Sequence, residues 1–293
     1  MTNNKNTFSI KEDGFCGELF KSDSEIDPKK ALILCTGSDG NVKFIQEISK
    51  KFSDNGITTL GISFFNAPDA PETICEVPLE YVENAAKYLK SIGYEKIGIW
   101  GVSMGAVYVL LCASYFPDLI NFVVAASPLY FVFEAVDKNK NTLIKGKSSF
   151  TYKGQSIPFE PCLAKMNYFT FFINYLKKME PNYANLYDPL VGNADEKNII
   201  PVENMKASLL LISGAMDTLW PSTKSGDIIM ERLKAKNYQY PYEHIIFEHG
   251  GHFMIPIYNS FEKFLKANRK FPEDNEKYRE EHLKKVIESF KAF

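Results

Sequence analysis

Residues 101–105 read Gly-Val-Ser-Met-Gly, and their flanks restrict the fold more than any other stretch of the chain. Lys96-Ile97-Gly98-Ile99-Trp100 predicts a buried strand before the motif. Ala106-Val107-Tyr108-Val109-Leu110-Leu111-Cys112-Ala113 predicts an apolar helix after it. A strand that turns straight into a helix leaves no space for a Cβ on either side of the turn, so glycine stands at 101 and 105. Ser103 is then held in a strained conformation, hydroxyl exposed at the sheet edge, with a helix N-terminus behind it. A serine so placed is a candidate nucleophile. The alternative is chance spacing in a chain with 17 glycines, against which stand the strand and the helix.

A serine hydroxyl is a weak nucleophile at neutral pH and needs a base that a third group orients. Around such a turn the partners follow in the chain order Ser, then Asp or Glu, then His. Four histidines are present. His244 lies inside a predicted strand, Tyr242–Phe247, and His282 in a charged C-terminal helix where it is expected to be solvated. His249 and His252 flank Gly250-Gly251 just past that strand. His252 is favoured over His249, because the two glycines can bend the backbone to present it and Phe253-Met254-Ile255 can pack beneath. For the acid, Ser208–Ser213 predicts a buried strand closed by Gly214, and Asp217 follows at its C-terminal end, the edge where open α/β sheets place their sites. Asp118, Asp137, Asp188, Asp195 and Asp227 read as helix, turn or surface residues. The competing reading of Asp217 is a helix N-cap.

An oxyanion needs two backbone N–H donors. One is assigned to Met104, after the nucleophile. The other is assigned to Ser38, in the loop Thr36-Gly37-Ser38-Asp39-Gly40-Asn41 that follows the strand Ala31–Cys35. That loop's glycines could equally serve only a tight turn.

Strand-like and helical stretches alternate from Ala31 to Phe247, which predicts an α/β fold with one predominantly parallel sheet covered on both faces. A hairpin is expected over Thr7–Phe20, turning around Asp13-Gly14. Helices are expected over Val42–Asn55, Leu79–Ile92, Ile257–Asn268 and Asp274–Phe293, with further strands at Thr58–Ser63 and Phe122–Ala126. Residues 1–293 are read as a single domain. The segment from about Pro128 to Pro201 breaks the rhythm with a polar stretch, Asp137–Asn141, and an aromatic cluster: Phe150, Tyr152, Phe159, Met166, Tyr168, Phe169, Phe171, Phe172 and Tyr175. It is read as a lid inserted between the sixth and seventh strands, with ordinary core packing as the alternative. A net charge of −2 provides no global field for nucleic acid or an anionic membrane. Five scattered cysteines read as reduced thiols of a cytoplasmic protein, and no apolar run reaches the roughly 20 residues of a bilayer span. No metal-ligand cluster or second phosphate loop is found, so neither metal nor cofactor is expected.

With serine, acid and histidine placed, the chain resembles the C-terminal catalytic domain of acyl-CoA thioesterases and bile acid-CoA:amino acid N-acyltransferases, of the dienelactone-hydrolase-like α/β-hydrolases. The resemblance runs from about Lys30 to Tyr258. It rests on Pro78–Glu83, the nucleophile segment Gly98–Ala106, the lead-in Ile200-Pro201-Val202-Glu203, the acid loop Asp217-Thr218-Leu219-Trp220-Pro221-Ser222, and Gly251-His252-Phe253-Met254 followed by Pro256. It implies an α/β-hydrolase fold and hydrolysis of an acyl-CoA or similar small-molecule thioester by Ser103, Asp217 and His252. A carboxylesterase and an amino acid N-acyltransferase are the alternatives, and a non-catalytic ligand-binding module is disfavoured by the three groups in order. Eukaryotic relatives carry an N-terminal β-sandwich domain, whereas about 30 residues precede the first core strand here. The acyltransferase branch uses cysteine where this chain has Ser103, which favours water as acceptor.

Overall fold

A computed structural model of the chain describes residues 5–137, 142–162, 183 and 187–293. Its main sheet has eight strands: β1 (Thr7–Phe8), β2 (Gly17–Phe20), β3 (Lys30–Cys35), β4 (Thr59–Ile62), β5 (Lys96–Val102), β6 (Phe122–Ala126), β7 (Ser208–Gly214) and β8 (Tyr242–Phe247). Their spatial order is β1-β2-β4-β3-β5-β6-β7-β8. From β4 to β8 every pairing is parallel; only the β1–β2 and β2–β4 pairings at one edge are antiparallel.

Strand residues alternate between two cores. Ala31, Ile33, Ile97, Ile99, Val123, Leu209 and Leu211 face one, while Leu32, Leu34, Trp100, Val124, Leu210 and Ile212 face the other. Both sets are apolar because both faces are covered, as a parallel sheet requires. Helices α1 (Val42–Ser53) and α5 (Pro272–Ala292) cover the second face, through Phe44, Ile45, Ile48 and Phe52 and through Val286 and Phe290. The first face takes α2 (Glu80–Ser91), α3 (Met104–Tyr115) and α4 (Ser222–Ala235). Every residue of α3 from Met104 to Ser114 is buried, which fits a helix apolar on all sides.

Several expectations need correction. The Thr7–Phe20 hairpin pairs as expected, Thr7 with Glu18, but its connection is a helical turn, Ile10–Asp13, closed by Gly14 in the left-handed region. The helix expected over Ile257–Asn268 is two short pieces, Ser260–Phe264 and Lys266–Lys270, broken at an extended Leu265. Apolar spacing alone cannot see the reason. Glu262 closes a capping box with Asn259, then buries its carboxylate against Arg279 and Asn268. His282 is fully buried rather than solvated, and its Nε2 accepts the indole N–H of Trp100 at 2.9 Å.

The aromatic cluster divides. Phe150 sits in the core against Tyr108, 5.2 Å between ring centres, on a short strand that pairs with Val77-Pro78. Tyr152 packs on Tyr115 and Phe116, and Phe159 rests on the same core. These three are packing residues, not cover. Met166, Tyr168, Phe169, Phe171, Phe172 and Tyr175 lie outside the described residues. The described cysteines, Cys16, Cys35, Cys75, Cys112 and Cys162, are free thiols. Among the described residues no helix is long and apolar enough to cross a membrane.

Candidate active site

Ser103 stands alone between β5 and α3 with φ 59° and ψ −125°. A non-glycine residue there is strained, and its surroundings force it. A Cβ at Gly101 would lie 2.3 Å from the Gly105 carbonyl oxygen, and one at Gly105 would lie 2.2 Å from that of Thr36. The Ser103 N–H donates to the Ala126 carbonyl at 2.9 Å, fixing the turn to the end of β6.

The structure brings the three predicted side chains together from the ends of three strands. His252 Nε2 lies 2.9 Å from Ser103 Oγ, and His252 Nδ1 lies 2.8 Å from Asp217 Oδ2. An ionised carboxylate only accepts, so Nδ1 carries the proton and Nε2 presents its lone pair to the serine. The His252 and Asp217 side chains are 4% and 2% exposed. Asp217 is satisfied on every side: Oδ1 accepts the N–H groups of Leu219 and Trp220 at 2.9 and 3.3 Å, and Oδ2 also accepts the Ser222 hydroxyl at 2.6 Å. Asp217 therefore caps a backbone turn and holds the histidine at once, while the N-cap position of α4 falls to Pro221.

The acid and histidine loops meet at Gly214, where an added Cβ would lie 2.3 Å from the carbonyl oxygens of both Gly250 and Gly251. Ser127 and Trp220, whose supporting roles were not anticipated, and Phe253 complete the support. Ser127, just past β6, donates its hydroxyl to the His252 carbonyl at 2.5 Å and accepts the Trp220 indole N–H on its own carbonyl at 2.9 Å. Trp220 and Phe253 then stand edge-on to the His252 ring, 5.4 and 5.3 Å away. A serine at a strand's C-terminal end was the only sequence signal for Ser127.

The other histidines, and the aspartates Asp118, Asp195 and Asp227, are engaged elsewhere. His249 pairs with Asp274 at 2.6 Å and stacks on Phe271. His244 lies between Ser213 and Asp227. Asp118 pairs with Lys206, and Asp195 with Lys197.

A cavity of about 450 Å³ opens on Ser103 and His252. Phe44, Val102, Met104, Leu219, Trp220 and Phe253 give it apolar walls, and the segment between β6 and β7 adds Val136, Leu143, Tyr183 and Tyr187. Tyr183 is tied to the acid loop by its N–H, which donates to the Thr218 carbonyl at 3.1 Å. Ser38 and Met104 both line the cavity, and a Cβ on Gly37 would come within 3.0 Å of Ser103 Cβ, so the β3 loop lies directly against the serine. Met104 opens α3, where the first N–H groups of a helix have no intrahelical acceptor. The arrangement can take a proton from a hydroxyl and stabilise the imidazolium that results.

Comparison with known proteins follows the same lines. Residues 77–268, which contain Ser103, Asp217 and His252, match the family described as BAAT / Acyl-CoA thioester hydrolase C terminal. Human acyl-coenzyme A thioesterase 1 is 27% identical over 241 residues, covering 80% of this chain and 51% of that protein. Human mitochondrial acyl-coenzyme A thioesterase 2 is also 27% identical over 241 residues, covering 80% of this chain and 44% of that one. The chain thus spans about half the length of these curated relatives. Among solved structures, a putative dienelactone hydrolase from Klebsiella pneumoniae shares the fold with a TM-score of 0.56 at 13% identity, over 98% of each chain. With most of its length matched and the sheet order in hand, the chain belongs to the BAAT/acyl-CoA thioester hydrolase C-terminal family and carries an α/β-hydrolase fold.

Proposed function

We propose that the protein is a serine hydrolase that cleaves acyl thioesters, with acyl-CoA as the substrate class. The observation that carries the reading is the hydrogen-bonded series Asp217–His252–Ser103 at the floor of an apolar cavity. As Ser103 Oγ bonds to the acyl carbonyl carbon, its proton passes to His252 Nε2, and Asp217 stabilises the imidazolium. The N–H groups of Met104 and Ser38 receive the oxyanion. Collapse breaks the C–S bond, and His252 returns its proton to the departing thiolate. Water then attacks the acyl-serine with His252 again as base, releasing the carboxylic acid and restoring the serine. Side chains, backbone N–H groups and water balance every one of these steps.

The wall contributed by Val136, Leu143, Tyr183 and Tyr187 supports a covering role for the β6–β7 segment. The free thiols support a reducing, cytoplasmic setting. Free-thiol release from a panel of acyl-CoAs, run beside matched oxygen esters, tests the substrate class; equal or better rates on simple phenyl esters favour a carboxylesterase. Ser103→Ala should abolish turnover, by about 10⁶-fold in kcat, together with fluorophosphonate labelling. Labelling that survives the substitution removes the assignment.

A further inference from the structure

Hydrogen bonds hold the His252 ring at both nitrogens, yet they leave it free to rock about the line that joins Asp217 to Ser103. Packing on the ring limits that rocking. Trp220 stands edge-on to it at 5.4 Å and 74°, and Phe253 at 5.3 Å and 85°. Both of these rings also line the cavity. Trp220 is 4% exposed and held at each of its donors. Its backbone N–H donates to Asp217 Oδ1 at 3.3 Å, and its indole N–H donates to the Ser127 carbonyl at 2.9 Å. Ser127 is fully buried at φ 50°, a strained backbone that persists only where its surroundings hold it. Its N–H donates to the Ile212 carbonyl of β7 at 2.7 Å, and its hydroxyl donates to the His252 carbonyl. Behind Trp220, Tyr187 meets the indole at 5.8 Å and 87°, and buried Phe133 backs Tyr187 at 4.8 Å. The remaining side of Trp220 faces the cavity. An acyl chain in that cavity therefore packs directly against a ring that steadies the base.

We propose that Trp220 is a positioning residue that couples occupancy of the acyl cavity to the orientation of His252 through the edge of its indole ring. The inference rests on the serine-hydrolase reading above. Part of the binding energy of a long acyl chain is then spent on holding the base, so it appears in kcat and not in KM alone. An acyl group too short to reach the indole lacks that gain.

The test is Trp220→Leu, assayed on the coenzyme A thioesters of acetic and octanoic acid. In the unsubstituted protein kcat should be about tenfold higher on the octanoyl than on the acetyl thioester. Trp220→Leu should lower kcat far more on the octanoyl thioester, so that the two values converge. Trp220→Phe, which restores an aromatic edge beside His252, should recover most of the difference; a loss as complete as that of Trp220→Leu overturns the proposal. An equal fall in kcat on both substrates would mark a purely structural role. A rise in KM for the octanoyl thioester with kcat unchanged would mark a simple wall. Either result overturns the coupling, as does a kcat independent of chain length in the unsubstituted protein. A second measurement needs neither turnover nor a folded Trp220 variant. In Ser103→Ala protein, proton NMR follows the proton between His252 Nδ1 and Asp217 Oδ2. The octanoyl thioester should slow its exchange with solvent about tenfold, and the acetyl thioester should leave it unchanged. No slowing, or equal slowing by both, overturns the proposal. Should the unsubstituted protein hydrolyse neither thioester, the serine-hydrolase reading fails by itself, while the exchange of this proton still decides the coupling.

Discussion

At the scale of single residues, Asp217 has the most to lose. Its carboxylate is buried and receives four hydrogen bonds, so neither oxygen has a lone pair without use. Asn at this position turns an NH₂ toward a donor on one side or the other and disturbs the tautomer of His252. Asp217→Asn should lower kcat by about 10⁴-fold, less than loss of the serine, while the fold survives. Steady-state kinetics beside a thermal melt check both halves of that statement. The two loop histidines separate in the same way. His252→Ala removes the proposed base and should leave almost no turnover. His249→Ala loses a surface pair with Asp274 and a stacking contact with Phe271, and should keep most of the activity. The opposite pattern would move the base three residues upstream. His252 was legible through the paired glycines before it, and Asp217 through its place past a strand end. Ser127 was not, since its role is a carbonyl contact across 125 residues of chain.

At the scale of elements, the C-terminal helix is joined to the site by a polar group that the sequence suggested was solvated. α5 places His282 beneath Trp100, on the strand that leads into Ser103. Indole N–H only donates, so His282 must be neutral to accept it. Burial pushes its pKa down to about 3, and the nearby Met254 carbonyl offsets this only in part. The sign follows from linkage. Below its ordinary value of about 6.5 the unfolded chain takes up a proton that the folded chain refuses, so stability is full above that pH and falls as pH drops toward 3. The slope attributable to this one group approaches about 1.4 kcal/mol per pH unit. Urea unfolding at pH 7.5 and 5.0 should show the loss. His282→Gln, whose amide oxygen can still accept the indole N–H, should show a shallower dependence over the same interval. An identical slope in both proteins removes the attribution. The helix over Ile257–Asn268 failed for a related reason: buried polar partners of Glu262 decided the backbone, and apolar periodicity does not report them.

At the scale of the whole molecule, the cavity relates chain length of the substrate to rate. Its walls come from the loop after β3, the start of α1, the turn from β5 into α3, the acid and histidine loops and the β6–β7 segment, so no single element defines its depth. Each CH₂ of an acyl chain buried there contributes up to about 0.8 kcal/mol. kcat/KM should rise with acyl length, approaching about fourfold per methylene, and then level or fall once about 450 Å³ is filled. Rates on a series of saturated acyl-CoAs measure this, and a flat series would mean that the cavity does not hold the acyl chain. Added glycine or taurine should divert no product to an amide, since Ser103 stands where the acyltransferase branch has cysteine.

The sequence by itself determined the alternating strands and helices, the parallel order of the sheet centre, and the three side chains at strand ends. Each is written in local spacing: short continuous apolar runs for strands covered on both faces, glycines where a Cβ would strike backbone, and a polar residue just past an apolar run. Only the tertiary structure decided what those residues touch. The direction of the Ser38 loop, the anchoring of His252 through Ser127 and Trp220, the burial of His282 and the break at Leu265 all depend on partners far away in the chain. Such contacts arise when separate elements are packed together and each buried polar group must find a partner wherever the fold provides one. No local pattern encodes that choice.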